Sequence, residues 1–269
     1  EPHRYPSAPP TSRWRGYFGI LRSALANVPT YNPWTFEERD LLVWGHSRRK
    51  KQDDGYWWDI YTDPIYEYAD FSYVHFEQEL GGDHLQPAKT ANLFYTDEIP
   101  TYARVLRKFG NGPTVDRREV EPVRALERNI RADFGVNLAV SDGFARHLEI
   151  EFAIRRIYQS YLQHIDPNIA VVVVSYGKEP FVQTCKDEGI PVVELQHGVI
   201  HEGHLGYHFP GERTKVAFPD YLLVWGEFWK DCVEYPIPDE RVLSVGYPYL
   251  EQSVEKYDDI PATDQILFV

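Results

Sequence analysis

The chain has few cysteines, no methionine and no long apolar run. Its two cysteines, Cys185 and Cys232, are too few for the disulfide framework of a small secreted domain, and they lack CxxC spacing. We therefore expect two buried free thiols. The apolar run Val171–Val174 has only the length of a strand, whereas a membrane-spanning helix needs about 18 apolar residues.

The N-terminal residues 1–15 are polar and rich in proline, without the apolar core of a signal peptide. This composition predicts a cytoplasmic protein. Methionine is absent altogether, including an initiator. We expect either that the start was trimmed or that the chain is a piece of a longer protein.

Basic residues are scarce relative to acidic ones. The 41 Asp and Glu residues exceed the 28 Lys and Arg residues, which gives a formal net charge of −13. Nonspecific binding to nucleic acid needs a basic surface that displaces counterions, so we expect no nucleic-acid partner. An acidic surface poor in lysine also keeps a protein hydrated at high salt, and it suggests a halophilic source.

Segments of strand length and segments of helix length alternate along the chain, most regularly after residue 169. The predicted strands are Leu41–Trp44, Tyr56–Tyr61, Ala91–Tyr95, Ile169–Val174, Pro191–Leu195, Tyr221–Val224 and Arg241–Val245. The predicted helices are Trp14–Asn27, Arg117–Asp133, Asp142–His164 with Asp142 as N-cap, Glu179–Glu188, Glu227–Val233 and Pro248–Lys256. This alternation predicts an α/β fold with a doubly wound, Rossmann-like parallel sheet.

Three segments follow from this pattern. Residues 1–12 are expected to be a loose N-terminal segment, and residues 13–260 a Rossmann-like domain. At residues 261–269 the run DQILFV begins a fresh apolar strand, Gln265–Val269, which needs a helix to cover it. We expect it to start a second, truncated domain.

The most informative motif is the polar end of one predicted strand, with Glu194, Gln196, His197 and Gly198. In open α/β sheets ligands bind at the carboxyl ends of strands, so the imidazole should face a cleft. Side chains alternate along a strand, so Glu194 and Gln196 share one side and could orient it. We predict His197 and Glu194 as catalytic, and Gln196 and Gly198 as substrate-binding. The competing interpretation is a structural turn with a capping histidine.

Other polar residues complete the predicted site. Ser175, Tyr176 and Gly177 form a turn that can offer backbone N–H groups to an anion, although an ordinary βα turn would look the same. The basic run at residues 46–51 could contact the phosphates of a glycan carrier or an acidic sugar, or it could be a solvated loop. Asp59 and Asp63, among Trp57, Trp58 and Tyr61, could line a sugar site, because aromatic faces stack on sugar rings. They could equally be capping carboxylates among core aromatics.

A histidine-bearing, glycine-rich segment follows the motif. His197, His201, His204 and His208 have helical spacing, which raises a zinc site. The intervening glycines disfavour that helix, so we predict no metal and no other cofactor. Instead we add His204 and Tyr207 to the substrate-binding residues, in a loop over the cleft.

Three stretches carry a resemblance to a known family. ELQHGVIxxxHxGYxxP, FPDYLLVWGEFWK and RVLSVGYPYLE resemble surface- and capsule-polysaccharide biosynthesis proteins with the two-Rossmann (GT-B) glycosyltransferase architecture. The resemblance covers mainly residues 169–256. It implies that this chain is the N-terminal, acceptor-side half of a two-domain protein, that His197 is its base, and that the donor domain begins at about Asp264.

The resemblance implies a transferase that moves a sugar or glycerophosphate from a nucleotide-activated donor to a glycan acceptor. The implied location is the cytoplasm, or the inner membrane face through a polysaccharide assembly complex. Two alternatives stay open. One is a non-catalytic glycan- or nucleotide-binding module, and the other is an enzyme resembling sugar-nucleotide epimerases.

The acidic surface leads to a prediction about salt. If the surface is adapted to high salt, the melting temperature should rise as KCl is increased towards molar concentrations, because counterions screen the repulsion between carboxylates. Thermal denaturation followed by circular dichroism measures the effect. A melting temperature that falls over this range would contradict the halophilic interpretation.

Overall fold

The computed structural model describes residues 37–68, 70–80, 83–109, 114–211, 214–255 and 261. Three predicted elements lie outside these residues: the loose segment 1–12, the helix Trp14–Asn27 and the strand Gln265–Val269. The predicted start of a second domain also falls there, apart from residue 261.

A seven-stranded parallel sheet forms the centre of the described fold. In spatial order its strands are β5 (Leu93–Tyr95), β4 (Tyr73–Glu77), β1 (Leu41–Trp44), β6 (Ile169–Val173), β7 (Val192–Leu195), β8 (Tyr221–Val224) and β9 (Val242–Ser244). The chain extends the sheet from β1 in one direction and then returns to extend it in the other. β1 and β6 therefore flank a topological switch point, where open α/β sheets bind ligands. The predicted α/β, Rossmann-like parallel sheet is confirmed.

Helices cover the sheet. They are α1 (Asp63–Tyr68), α2 (Ile99–Phe109), α3 (Arg117–Phe134), α4 (Ser141–Ile165), α5 (Glu179–Asp187), α6 (Glu227–Asp231) and α7 (Pro248–Glu255). Alternate strand residues such as Leu42, Phe76 and Val172 point to one face and pack with α2, α4 and α5 into the main core. α3, which was predicted as Arg117–Asp133, buries only Val120 and turns most of its surface to solvent.

The start of α4 corrects one prediction. Asp142 is not the N-cap, because the helix begins at Ser141 and Val140 occupies the cap position without a side-chain hydrogen bond. Glu127 of α3 instead accepts from the backbone N–H groups of Val140 and Ser141, at 2.6 and 2.8 Å. A neighbouring helix thus satisfies the free N–H groups that a local cap would otherwise bind.

A polar layer covers the other face of the sheet at β1 and β4. The strands β2 (Arg49–Lys51) and β3 (Trp57–Asp59) form a separate antiparallel pair there. The buried Arg49 donates through Nε to Glu77 at 2.7 Å and through Nη1 to Thr90 at 2.7 Å, and Thr90 donates to Asp63 at 2.6 Å. The basic run is therefore divided, with Arg49 buried and Arg48 exposed.

Gly45, directly after β1, belongs to the same layer. A Cβ atom at this position would lie 2.1 Å from Nε2 of His75 and 3.2 Å from Oδ2 of Asp59. These two side-chain atoms are buried, 4.0 Å apart, and have no hydrogen-bond partner. Burial raises the pKa of Asp59 to about 7, although Arg49 acts in the opposite direction. Glycine is required here because a side chain would displace the imidazole.

Both cysteines are free thiols, Cys185 buried and Cys232 partly buried. Across the residues that the structure describes, none of the helices combines the length and the apolar character needed to cross a membrane.

The division of the basic run predicts opposite effects for neighbouring arginines. Arg49→Gln should lower the free energy of unfolding by about 3 kcal/mol, because the buried Glu77 loses its guanidinium and keeps only His84, 3.4 Å away. Arg48→Gln is the matched control and should change it by less than about 0.5 kcal/mol, because that side chain is exposed. Urea denaturation measures both, and equal stabilities would contradict the role of Arg49.

Candidate functional site

The carboxyl ends of β1, β6 and β7 meet at the switch point, and each is followed by polar residues. His46 follows β1, the turn at residues 175–178 follows β6, and His197 follows β7. The rings of His46 and His197 are stacked, with centroids 6.2 Å apart and an interplanar angle of 12°. The parallel topology thus brings together side chains that are far apart in sequence.

His197 is held on three sides by tyrosine hydroxyls. Tyr176 Oη lies 2.9 Å from Nε2, and Tyr207 Oη lies 3.2 Å from Nδ1. Tyr61 donates to the backbone carbonyl of His197 at 2.7 Å. These contacts fix both the ring and the backbone of the residue, so its orientation is set before any ligand arrives.

The hydrogen bonds form a chain with a defined direction. Tyr207 donates its hydroxyl proton to Glu194, and an ionised Glu194 can only accept. Tyr207 must then accept from Nδ1–H of His197, which leaves Nε2 as the acceptor facing Tyr176. Glu194 therefore acts on the imidazole through Tyr207 and does not touch it.

Glu194 and Gln196 are both buried, as their alternation along β7 requires. Burial raises the pKa of Glu194, opposed by hydrogen bonds from Ser175 and Tyr207. Gln196 accepts from the Trp225 backbone N–H at 2.8 Å and donates to the Gly198 carbonyl at 2.9 Å. Its amide thus holds the turn after β7 and ties it to the end of β8.

Cationic groups surround the imidazole. Burial, followed by the nearby His46 and Arg48, lowers the pKa of His197 to about 3. Burial and Arg48 lower the pKa of His46 to about 4. Burial also lowers the pKa of Lys178 to about 7, and its Nζ donates to the Val173 carbonyl at 2.6 Å. The free site therefore disfavours further positive charge and suits an anion.

The turn after β6 is strained. Val174 has a φ of 74°, in the left-handed region that β-branched residues avoid. Such a conformation costs about 1–3 kcal/mol and persists only where its surroundings impose it. It directs the buried Ser175 towards Glu194, and Gly177 completes the turn with a φ of 79°. All three predicted turn residues thus lie beside the motif.

The four spaced histidines do not form one cluster. His204 contacts Tyr207, with ring centroids 4.8 Å apart, and lies 6.4 Å from His197. His201 is exposed, whereas His208 lines a different cavity with Cys232. Within the described ranges, no group of three or more His, Cys, Asp or Glu side chains is arranged to hold a metal ion.

The structure brings all nine predicted site residues to one edge of the sheet. His197, Glu194, Tyr176 and Tyr207 form the hydrogen-bond chain, and the others hold or border it: Ser175, Gly177, Gln196, Gly198 and His204. The predicted site residues did not include His46, Arg48, Tyr61 or Lys178. The sequence had raised the first three as possible ligand contacts and left the alternatives open, whereas Lys178 was missed, although it lies in the turn after β6.

No protein-family model matches the chain, and no curated protein matches it as a relative. The chemistry of the site must therefore be inferred from its own geometry.

The low pKa of His197 predicts a pH effect. The pKa of this imidazole is ordinarily 6.5, and in the folded protein it is about 3. Between pH 6.5 and pH 3, the unfolded chain therefore binds a proton that the folded chain does not. The contribution of His197 to the free energy of unfolding is fully present above pH 6.5. It is lost as the pH falls towards 3, by at most about 1.4 kcal/mol per pH unit.

His197→Gln should remove that contribution, so urea denaturation from pH 7 to pH 4 should give a shallower loss for the variant than for the wild type. Equally steep losses would show that His197 is not held neutral.

Proposed function

We propose that this domain is the acceptor-side half of a transferase that moves a sugar or glycerophosphate group from a nucleotide-activated donor to a glycan acceptor. The observation that carries the proposal is the chain of hydrogen bonds from Glu194 through Tyr207 to His197, at the switch point of the sheet. The resemblance to GT-B polysaccharide-biosynthesis proteins adds support from the sequence.

The chain of hydrogen bonds suits His197 to act as a general base. Nε2 is free of a proton, and an acceptor hydroxyl that replaces Tyr176 there would donate its proton to this atom. The resulting imidazolium would keep its Nδ1–H bond to Tyr207, and the negative charge of Glu194 would stabilise it through that hydroxyl. Glu194 and Tyr207 are positioning residues in this scheme.

The basic surroundings suit a substrate that carries phosphate. Burial is the main reason for the low pKa of His197, and a phosphate bound beside the imidazole would raise that pKa by favouring the imidazolium. The base would then become stronger once the phosphate is in place. This coupling favours proton transfer in the complete complex over proton uptake from water.

A specific observation also favours a second function, a non-catalytic binding module for nucleotides or glycans. With a pKa of about 3, the imidazole of the free protein is too weak a base for efficient catalysis near neutral pH. A site that only binds an anion would need the same cations and would not need proton transfer.

The test is turnover in the full-length protein, measured as release of CMP, CDP or UDP from the corresponding sugar nucleotides in the presence of surface glycan from the source. His197→Gln should lower the rate by about 10²–10⁴-fold, the usual contribution of a general base. Tyr207→Phe should lower it less, because the imidazole keeps Nε2 and loses only its orientation.

His201→Gln is the matched control, because its exposed imidazole lies in the same loop outside the hydrogen-bond chain. Wild-type turnover in a folded His197→Gln protein would refute the role of the histidine. Binding of the same nucleotides without turnover, in wild type and variant alike, would support the binding module.

A further inference from the structure

An apolar cavity of about 210 Å³ lies beside His197, at the carboxyl ends of β7, β8 and β9. Leu195, Leu223, Trp225 and Tyr247 line it, together with Tyr61 from the segment after β3. Tyr61 is also the residue that donates to the His197 carbonyl. Tyr61 therefore contacts both the cavity and His197.

Aromatic rings form a continuous wall of this cavity. Trp225 and Tyr247 are stacked with centroids 4.6 Å apart at 12°, and Tyr247 and Tyr61 with centroids 6.1 Å apart at 20°. Such faces attract apolar C–H groups and other unsaturated groups. The wall is already assembled without a ligand, so little ordering is needed for binding.

Polar groups in the lining are already engaged. The Gln196 amide bonds to two backbone groups, and the Tyr61 hydroxyl donates to the His197 carbonyl. A hydroxyl-rich sugar ring or the edge of a nucleobase would lose its hydrogen bonds to water here and gain few in return. The cavity thus selects an apolar group.

A cation lies at the edge of the cavity. His46 lies beside Tyr61, with ring centroids 6.0 Å apart, and the exposed Arg48 two residues further along is close enough to lower the pKa of Tyr61, His46 and His197. Its guanidinium can bind a phosphate in two-pronged fashion. The apolar cavity and the cationic site are therefore adjacent and of complementary character.

We propose that the cavity binds the apolar, unsaturated group of a phosphate ester, an aryl or a prenyl phosphate, with the phosphate on Arg48 and His46. If the proposed function holds, on which this substrate assignment rests, the acceptor glycan is presented on such an ester. The cavity itself is a binding site whether or not the domain catalyses transfer.

Isothermal titration calorimetry tests this with four probes: inorganic phosphate, glucose 1-phosphate, phenyl phosphate and geranyl phosphate. One or both apolar esters should bind at least about tenfold more tightly than inorganic phosphate, because apolar surface is buried, whereas glucose 1-phosphate should not. Whichever of phenyl phosphate and geranyl phosphate binds more tightly distinguishes an aryl from a prenyl ligand.

Two matched pairs of variants locate the binding. Tyr247→Leu should abolish the preference for the apolar ester, whereas Tyr249→Leu should keep it, because Tyr249 packs on Trp58 outside the cavity. Arg48→Gln should weaken all phosphates by a similar factor, whereas Lys51→Gln, an exposed residue of the same run, should not.

Equal affinities for inorganic phosphate and both apolar esters would overturn the proposal, and so would a preference that survives Tyr247→Leu in a folded protein. These outcomes concern binding alone. A failure of the transferase proposal would appear separately, as unchanged nucleotide release by His197→Gln.

Discussion

The buried guanidinium of Arg49 joins the antiparallel β2–β3 pair to the parallel sheet. It pairs with Glu77 at the end of β4 and bonds to Thr90, and so fixes the antiparallel β2–β3 pair against the parallel sheet. A buried ion pair adds little net stability, but removing one partner is strongly destabilising. The pair therefore favours the one arrangement in which both partners meet. The segment that carries Arg48 and Tyr61 to the site depends on it.

The regular part of the fold could be predicted from the sequence, because its strands are short apolar runs. β1 and β8 were predicted with their observed bounds, whereas β4 was missed. In β4, His75 and Glu77 alternate with core residues and are buried among partners from other segments. Local pattern cannot show such partners, and for the same reason it could not tell the buried Arg49 from the exposed Arg48 beside it.

The site shows a similar division. The strand-end motif identified His197, Glu194 and Gln196, because the end of a parallel strand is a defined place in the fold. The sequence could not show that Glu194 reaches the imidazole through Tyr207, or that His46 stacks on it from β1. Those contacts are set by the order of the strands and by side-chain packing. The fold therefore determines whether the histidine is neutral or charged.

The pairing of β1 with β6 has a further consequence. Leu41 lies opposite Ile169, although four strands, β2 to β5, and four helices, α1 to α4, come between them in the described chain. Closing so long a loop costs chain entropy and slows folding. The site lies where β1 pairs with β6, so it forms only after these two strands have paired. Any ligand of the site therefore binds the finished fold alone, and it raises the population of that fold at the expense of every earlier state.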